Sequence, residues 1–232
     1  MKQHIPNFIT SLNLLAGCIA IVFAFLHQLE TTAYLLALSA IFDFFDGLAA
    51  RALNAYSNIG KDLDSLADMV SFGFAPGAIM YIVLSDLLLT ANLPSILAYS
   101  AFIIPVFSAL RLAKFNNDTR QSTYFVGVPT PANTLFFMSI PFVLVQSNIE
   151  NTFISNPVFL IGLIIVMSLL MVAEIPLISL KFKNFGWKEN VERFLLIGVS
   201  TILIVILKFV AIPLIILFYI ILSIGSKKKI IS

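Results

Sequence analysis

Five of the chain's twelve acidic residues fall within 26 consecutive positions, residues 43–68, of an otherwise apolar sequence. The stretch reads Asp43-Phe-Phe-Asp46-Gly47-Leu-Ala-Ala50-Arg51, then eight residues, then Gly60-Lys-Asp-Leu-Asp64-Ser-Leu-Ala-Asp68. On a helix advancing about 100° per residue, Asp43, Asp46, Gly47, Ala50 and Arg51 share an arc of roughly 140°. Gly60, Asp64 and Asp68 step by four and drift only about 80° along one face. Two helices that each turn a pair of carboxylates and small residues to one side make a cage for a hard divalent cation. Oxygen ligands suit Mg²⁺ or Mn²⁺, and Mg²⁺ is typically shared between carboxylates and substrate phosphates. The competing use of these acids is ion pairing with Arg51 or Lys61. Acids in membrane segments are costly and usually functional, and four in register are hard to explain as ion pairs.

The helices that position these acids are membrane helices. The chain has 232 residues, of which 59% are hydrophobic and only 11% charged, and its mean hydropathy is +1.00. Soluble domains carry about 25% charged residues, so the composition predicts an all-α integral membrane protein built as one helical unit. A net charge of +2 offers no basis for binding nucleic acid. The single cysteine, Cys18, excludes an internal disulfide or a cysteine metal site. His4 and His27 lie near opposite ends of one segment and read as interfacial. Leu14-Leu15-Ala16-Gly17-Cys18 looks like a lipoprotein cleavage site, but Lys2 alone supplies positive charge and Asn13 interrupts the apolar run. The N-terminal segment therefore reads as a first span.

Apolar runs predict eight spans, near residues 9–28, 32–54, 60–86, 93–113, 132–148, 156–180, 191–207 and 209–225. The last two are split at Ile206-Leu207-Lys208-Phe209, because a 35-residue run exceeds the ~20 residues needed to cross once. With the N-terminus inside, the cytoplasmic ends collect Lys2, Arg51, Lys61, Arg111, Lys114, Arg120, Lys181, Lys183, Lys188, Arg193 and Lys227 to Lys229. That is thirteen of the fourteen basic residues, leaving Lys208 outside, and cytoplasmic loops are the ones that carry such an excess. The expectation is a multi-pass protein of the cell (inner) membrane, with both termini and the carboxylates facing the cytoplasm.

The spacing DxxDGxxAR, eight residues, GxxxDxxxD resembles the signature of the CDP-alcohol phosphotransferase family at every fixed position. Pro6-Asn7-Phe8-Ile9-Thr10-Ser11-Leu12-Asn13 is similar to the PNxxTxxN segment that opens many members. Three further blocks follow in the expected order. They are Ala67-Asp68-Met69-Val70-Ser71-Phe72-Gly73-Phe74-Ala75-Pro76, Arg111-Leu-Ala-Lys114-Phe-Asn116, and Phe125-Val-Gly127-Val-Pro129-Thr-Pro131-Ala132. These look like the branch of the family whose acceptor alcohol is L-serine, with Lys114 standing where that branch has Arg.

The resemblance implies a six-helix core, residues 1–180, followed by about two added transmembrane helices and a basic tail, residues 181–232. It implies two divalent ions held by Asp43, Asp46, Asp64 and Asp68, with Asp68 also placed to take a proton from the acceptor. Gly47, Ala50 and Gly60 would be small so that a CDP moiety approaches helix backbone, Arg51 would contact phosphate or ribose, and Thr10 would lie near the nucleotide. Ser71, Arg111, Lys114 and Asn116 are the acceptor-site candidates, although positive-inside anchoring also accounts for the two cations. The implied substrates are CDP-diacylglycerol and L-serine in the lipid bilayer, and the implied assembly is a homodimer. Glycerol 3-phosphate or inositol phosphate is the alternative acceptor. A cation transporter would explain the acids but not Gly47, Ala50, Arg51 and Gly60 at fixed spacing.

Overall fold

The computed structural model describes residues 4–118, 125–146, 153–178, 186–187 and 190–226. Helices α1 (His4–Phe25) and α2 (Leu29–Ala52) form an antiparallel hairpin. The first helix starts before the predicted residue 9, because Pro6 falls in its opening turn, where its missing N–H costs nothing. On α1, Ala16, Gly17, Ala20 and Ala24 face inward. In a membrane, small residues at such spacing let helix backbones approach closely.

The central element is a continuous rod, residues 58–90. It consists of α3 (Asn58–Asp68), a π-helical turn (Met69–Phe74) and α4 (Ala75–Thr90). Ser57 caps its start, its Oγ accepting from the Gly60 N–H at 3.0 Å. At 1.5 Å per residue the rod is about 50 Å long, so it spans the ~30 Å hydrocarbon layer and still leaves α3 near one surface. Ala75, Ala78, Met80, Leu84 and Leu88 of α4 are fully buried. All but Ala78 pack with Leu36, Phe136, Phe137, Leu160, Ile164 and Met167 from the surrounding helices in one core.

After a 3₁₀ segment, Ser95–Phe102, helix α5 (Ile103–Asn117) returns to the end where α3 begins. Two contacts fix that return: Lys61 Nζ donates to the Asn116 carbonyl at 2.9 Å, and Asn116 Nδ2 donates to Ser65 Oγ at 2.7 Å. Helices α6 (Thr130–Gln146) and α7 (Pro157–Val172) complete the core.

The predicted sixth span, 156–180, is too long: α7 stops at Val172. Pro176 disfavours helix at the residue before it, and the chain instead forms a two-residue antiparallel ladder, β1 (Phe125–Val126) with β2 (Pro176–Leu177). The same loop closes the end of α7. The Val128 N–H donates to the Leu170 carbonyl at 3.0 Å and the Gly127 N–H to that of Ile175 at 2.9 Å. Gly127 has φ +74, and a Cβ there would overlap the Met171 carbonyl, so only glycine fits.

Helices α8 (Val191–Leu207) and α9 (Ala211–Gly225) pack on each other across a break at Lys208, which has φ +51. The break falls at the predicted split. Helix α9 joins the core through Ile216 and Ile220, and the Tyr219 hydroxyl donates to the Ile178 carbonyl at 2.9 Å. The described rods of residues 4–25, 29–52, 58–90, 95–117 and 191–225 are long and apolar enough to cross a membrane. Of the basic residues invoked for orientation, Lys2, Arg120, Lys181, Lys183, Lys188 and Lys227 to Lys229 lie outside the described residues.

Candidate active site

The start of α1, the end of α2 and the start of α3 meet at one end of the molecule and enclose a cleft of about 360 Å³. Its volume falls in the range of small-molecule sites, about 300–1,000 Å³. Helix α1 contributes Thr10, helix α2 contributes Asp43, Asp46, Gly47, Ala50 and Arg51, and α3 contributes Gly60 and Asp64. Both halves of the acidic motif thus face one space, as their helical spacing requires.

Asp43, Asp64 and Asp68 each offer a carboxylate oxygen within 4.8 Å of the others, with Asp68 the deepest. Oxygens on opposite sides of an ion at about 2.1 Å are roughly 4.2 Å apart, so small rotations bring these three onto a shared cation. Asp46 stands outside this tight trio but within electrostatic reach of Asp43 and Asp64. It is 5% exposed, and its Oδ2 has no hydrogen-bond partner among the described residues. A buried oxygen left unmatched costs free energy, and a cation removes that cost. An all-oxygen, all-carboxylate donor set of this kind fits Mg²⁺ or Mn²⁺.

The small residues behave differently from one another. A Cβ on Gly60 would sit 3.0 Å from Asn7 Oδ1 and from Ser57 Oγ, so the backbone here is closely approached from α1. At Gly47 an added Cβ would meet only the Arg51 guanidinium, 3.9 Å away; the space over that glycine is the cleft itself. Arg51 is exposed at the rim, and Thr10 is buried, its hydroxyl donating to the Pro6 carbonyl at 3.0 Å.

The four acceptor-site candidates separate by what they touch. Arg111 is 7% exposed, lies within electrostatic reach of Asp68 and stacks its guanidinium 4.7 Å from the Phe115 ring centre. Its Nε is buried without a partner among the described residues. Lys114, one turn on, points elsewhere: Nζ donates to the Val172 carbonyl at 3.2 Å and helps close the end of α7. Asn116 ties α5 to α3 as described, and Ser71 donates to the Asn13 carbonyl at 3.1 Å.

Asn13 and Ser39 are absent from the sequence-derived site list, yet both are fully buried beside it. Asn13 Nδ2 lies 3.5 Å from Asp68 Oδ1, and Ser39 Oγ donates to Asn13 Oδ1. The opening PNxxTxxN pattern pointed to Asn13, but nothing in the sequence linked it to an acid 55 residues away.

A family model described as CDP-alcohol phosphatidyltransferase matches residues 3–180. Several curated relatives carry the name CDP-diacylglycerol–serine O-phosphatidyltransferase. The Bacillus subtilis protein is 37% identical over 129 residues, covering 56% of this chain and 70% of the relative. That from Helicobacter pylori strain J99 is 32% identical over 200 residues, covering 83% and 77%. That from Methanocaldococcus jannaschii is 34% identical over 172 residues, covering 74% and 72%.

Proposed function

The chain belongs to the CDP-alcohol phosphatidyltransferase family, and from that membership we propose that it transfers the phosphatidyl group of CDP-diacylglycerol to the hydroxyl of L-serine, giving phosphatidylserine and CMP. The observation that carries this reading is the convergence of Asp43, Asp64 and Asp68 beside a nucleotide-sized cleft, with the buried Arg111 next to Asp68. The names of relatives from two bacteria and an archaeon, in which serine is the phosphatidyl acceptor, support the acceptor.

Two divalent ions, Mg²⁺ or Mn²⁺, held by Asp43, Asp46, Asp64 and Asp68, would supply charge neutralisation at the pyrophosphate and stabilise the entering and leaving oxygens. The residues of the chain do the rest. Gly47 and Ala50 leave backbone open to the CDP moiety, Gly60 lines the same cleft where α1 comes close, Thr10 faces it from α1, and Arg51 at the rim pairs with phosphate, for which a guanidinium is well shaped. Asp68 accepts the proton of the serine hydroxyl as that oxygen attacks the lipid-linked phosphorus. The bond from this phosphorus to the bridging oxygen breaks, and CMP departs with that oxygen. A carboxylate is a weak base at neutral pH, so alignment by the protein contributes much of the rate.

Arg111 binds the serine carboxylate, which matches its orphaned Nε. Ser71, Lys114 and Asn116 instead engage the protein with polar atoms, Ser71 toward α1, Lys114 toward the end of α7 and Asn116 toward α3. Residues 1–180 form the catalytic unit, and the α8–α9 hairpin braces it. The carboxylate end faces the cytoplasm, a reading supported by Arg51, Lys61, Arg111 and Lys114 gathering there while Lys208 lies at the far end.

An acceptor panel in detergent tests the function: CDP-diacylglycerol and Mn²⁺ or Mg²⁺ with serine, glycerol 3-phosphate or inositol phosphate. Serine-dependent CMP release that chelator abolishes is the expected result, and release with a phosphorylated acceptor instead would overturn the serine assignment. For orientation, with Cys18 replaced by Ala, Asn117→Cys should label only from inside and Ala91→Cys only from outside.

A further inference from the structure

Asp68 sits where α3 passes into the π-helical turn of residues 69–74. A turn of that kind re-aims the side chains around it and frees backbone groups from their usual partners. Here it is held from both flanks. Thr134 Oγ1 donates to the Phe72 carbonyl at 2.8 Å from α6, and Ser71 Oγ donates to the Asn13 carbonyl at 3.1 Å toward α1. The approach to α1 is close because residue 17 is glycine: a Cβ there would fall 2.9 Å from Ser71 Cα and onto its Oγ.

The residue at the centre of this contact is Asn13, and every polar atom it offers inward is engaged. Its main-chain carbonyl receives the Ser71 hydroxyl and lies 3.3 Å from that of Ser39, while its Oδ1 accepts from Ser39. Its Nδ2 faces Asp68 Oδ1 at 3.5 Å. This orientation of the amide is the one the chemistry demands. A hydroxyl can donate to Oδ1, whereas an ionised carboxylate only accepts and must meet the NH₂. Swapping the two ends would set oxygen against oxygen at Asp68.

We infer that Asn13 is a positioning residue for Asp68: its carboxamide, oriented by Ser39, fixes the rotation of the Asp68 carboxylate so that one oxygen is held and the other is presented to the acceptor hydroxyl. The inference rests on the reading of Asp68 as the proton acceptor. Asn13 touches no substrate in this role. Its effect passes through the carboxylate, so it belongs to the chemical step and not to the binding of either substrate.

The test is steady-state CMP release by Asn13→Ala, Ser39→Ala and the double variant, each compared with the unaltered chain on the acceptor that chain prefers. A serine misassignment would appear in the unaltered chain's acceptor panel, and a failed positioning role only in the variants. Hydrogen bonds to charged groups are strong enough that Asn13→Ala should lower kcat about ten- to a hundredfold, with both KM values nearly unchanged. Ser39→Ala should lower kcat in the same direction but less, and it should add nothing in the Asn13→Ala background, because Ser39 acts through Asn13. Ser39→Ala removes one oxygen from a packed site, so it keeps the test open if Asn13→Ala folds poorly. Unchanged kcat in Ser39→Ala, a loss confined to KM, or equal losses from Ser39→Ala in both backgrounds would each overturn the inference.

Discussion

Two apolar segments of similar length sit in opposite surroundings. The rod of residues 58–90 runs 33 residues with 67% of its most apolar window buried, and residues 191–225 run 35 with 22% buried. The hairpin is the more apolar of the two, yet the chemistry proposed above lies in the rod. Hydropathy therefore reports contact with lipid, not centrality. In the rod, Asp68 and Ser71 are drawn in among the helices and Asp64 lines the cleft, and unmatched polar groups inside a helix bundle are expensive. Each must be matched by a neighbouring helix or by a bound group, and that requirement fixes their geometry. The hairpin instead turns Val205 and Ile206, 75% and 69% exposed, outward, where any residue of similar hydrophobicity would serve.

The largest effect should come from the rod's carboxylates. Asp68→Asn keeps the shape and removes the charge and the base, and a positioned general base contributes roughly 10²–10⁴-fold. CMP release should fall by at least that much, while the purified protein elutes and melts as before. Asp64→Asn should fall comparably, because it belongs to the same oxygen trio. Near-normal turnover in Asp64→Asn would end the shared-cation reading and make the rod no more special than the hairpin.

Next in size is Arg111→Ala. A charge-assisted hydrogen bond is worth roughly 1.5–3 kcal/mol, about ten- to over a hundredfold. The loss should appear as a raised KM for serine with the KM for CDP-diacylglycerol little changed. Arg111→Lys should be nearly as poor if the planar fork matters and milder if charge suffices. Lys114→Ala is the internal control: its ammonium is taken up by the Val172 carbonyl, so it should change stability more than serine KM. Equal KM effects from both would show that the contacts at 111 and 114 do not separate the two cations.

Much of this was legible in the sequence, and the reasons differ by feature. The placing of Asp43 and Asp46 with Asp64 and Asp68 follows from spacings of three and four residues, a local property of a helix. The break at Lys208 follows from length. The π-helical turn has no comparable signature, because Met69–Phe74 carry no residue type that demands it; the packing of Ser71 on α1 and of Thr134 on Phe72 does. The early end of α7 depends on the loop containing Gly127, more than 40 residues earlier in the chain. The link from Ser39 through Asn13 to Asp68 joins three helices, and separations of 26 and 55 residues leave no periodic trace.

Gly17→Ala sharpens the comparison within the rod's own neighbourhood. The new methyl must enter space held by Ser71, whose Cα would lie 2.9 Å away. Overpacking of this kind costs about 1–3 kcal/mol, and here it pushes on the turn that carries Asp68. Both melting temperature and kcat should therefore drop. Gly198→Ala on α8 meets nothing within 4 Å among the described residues and should leave both unchanged. Identical behaviour of the two substitutions would mean that closeness to α1 does not matter.

The smallest effect belongs to the hairpin's attachment. Tyr219 donates its hydroxyl to the Ile178 carbonyl at 2.9 Å, and Ser223 Oγ accepts from the Ile178 N–H at 3.2 Å. These bonds hold α9 against the strand residues that follow α7, at the same end of the molecule as the cleft but outside it. Tyr219→Phe removes one hydroxyl and leaves the ring. Side-chain hydrogen bonds in membrane proteins average roughly 0.6 kcal/mol, so the thermal midpoint in detergent should fall by a small, measurable amount. Serine and CDP-diacylglycerol kinetics should stay the same, because no residue that touches either substrate depends on Tyr219. A drop in kcat without a drop in stability would mean that the hairpin transmits position to the site, and the division between a catalytic rod and a lipid-facing brace would have to be redrawn.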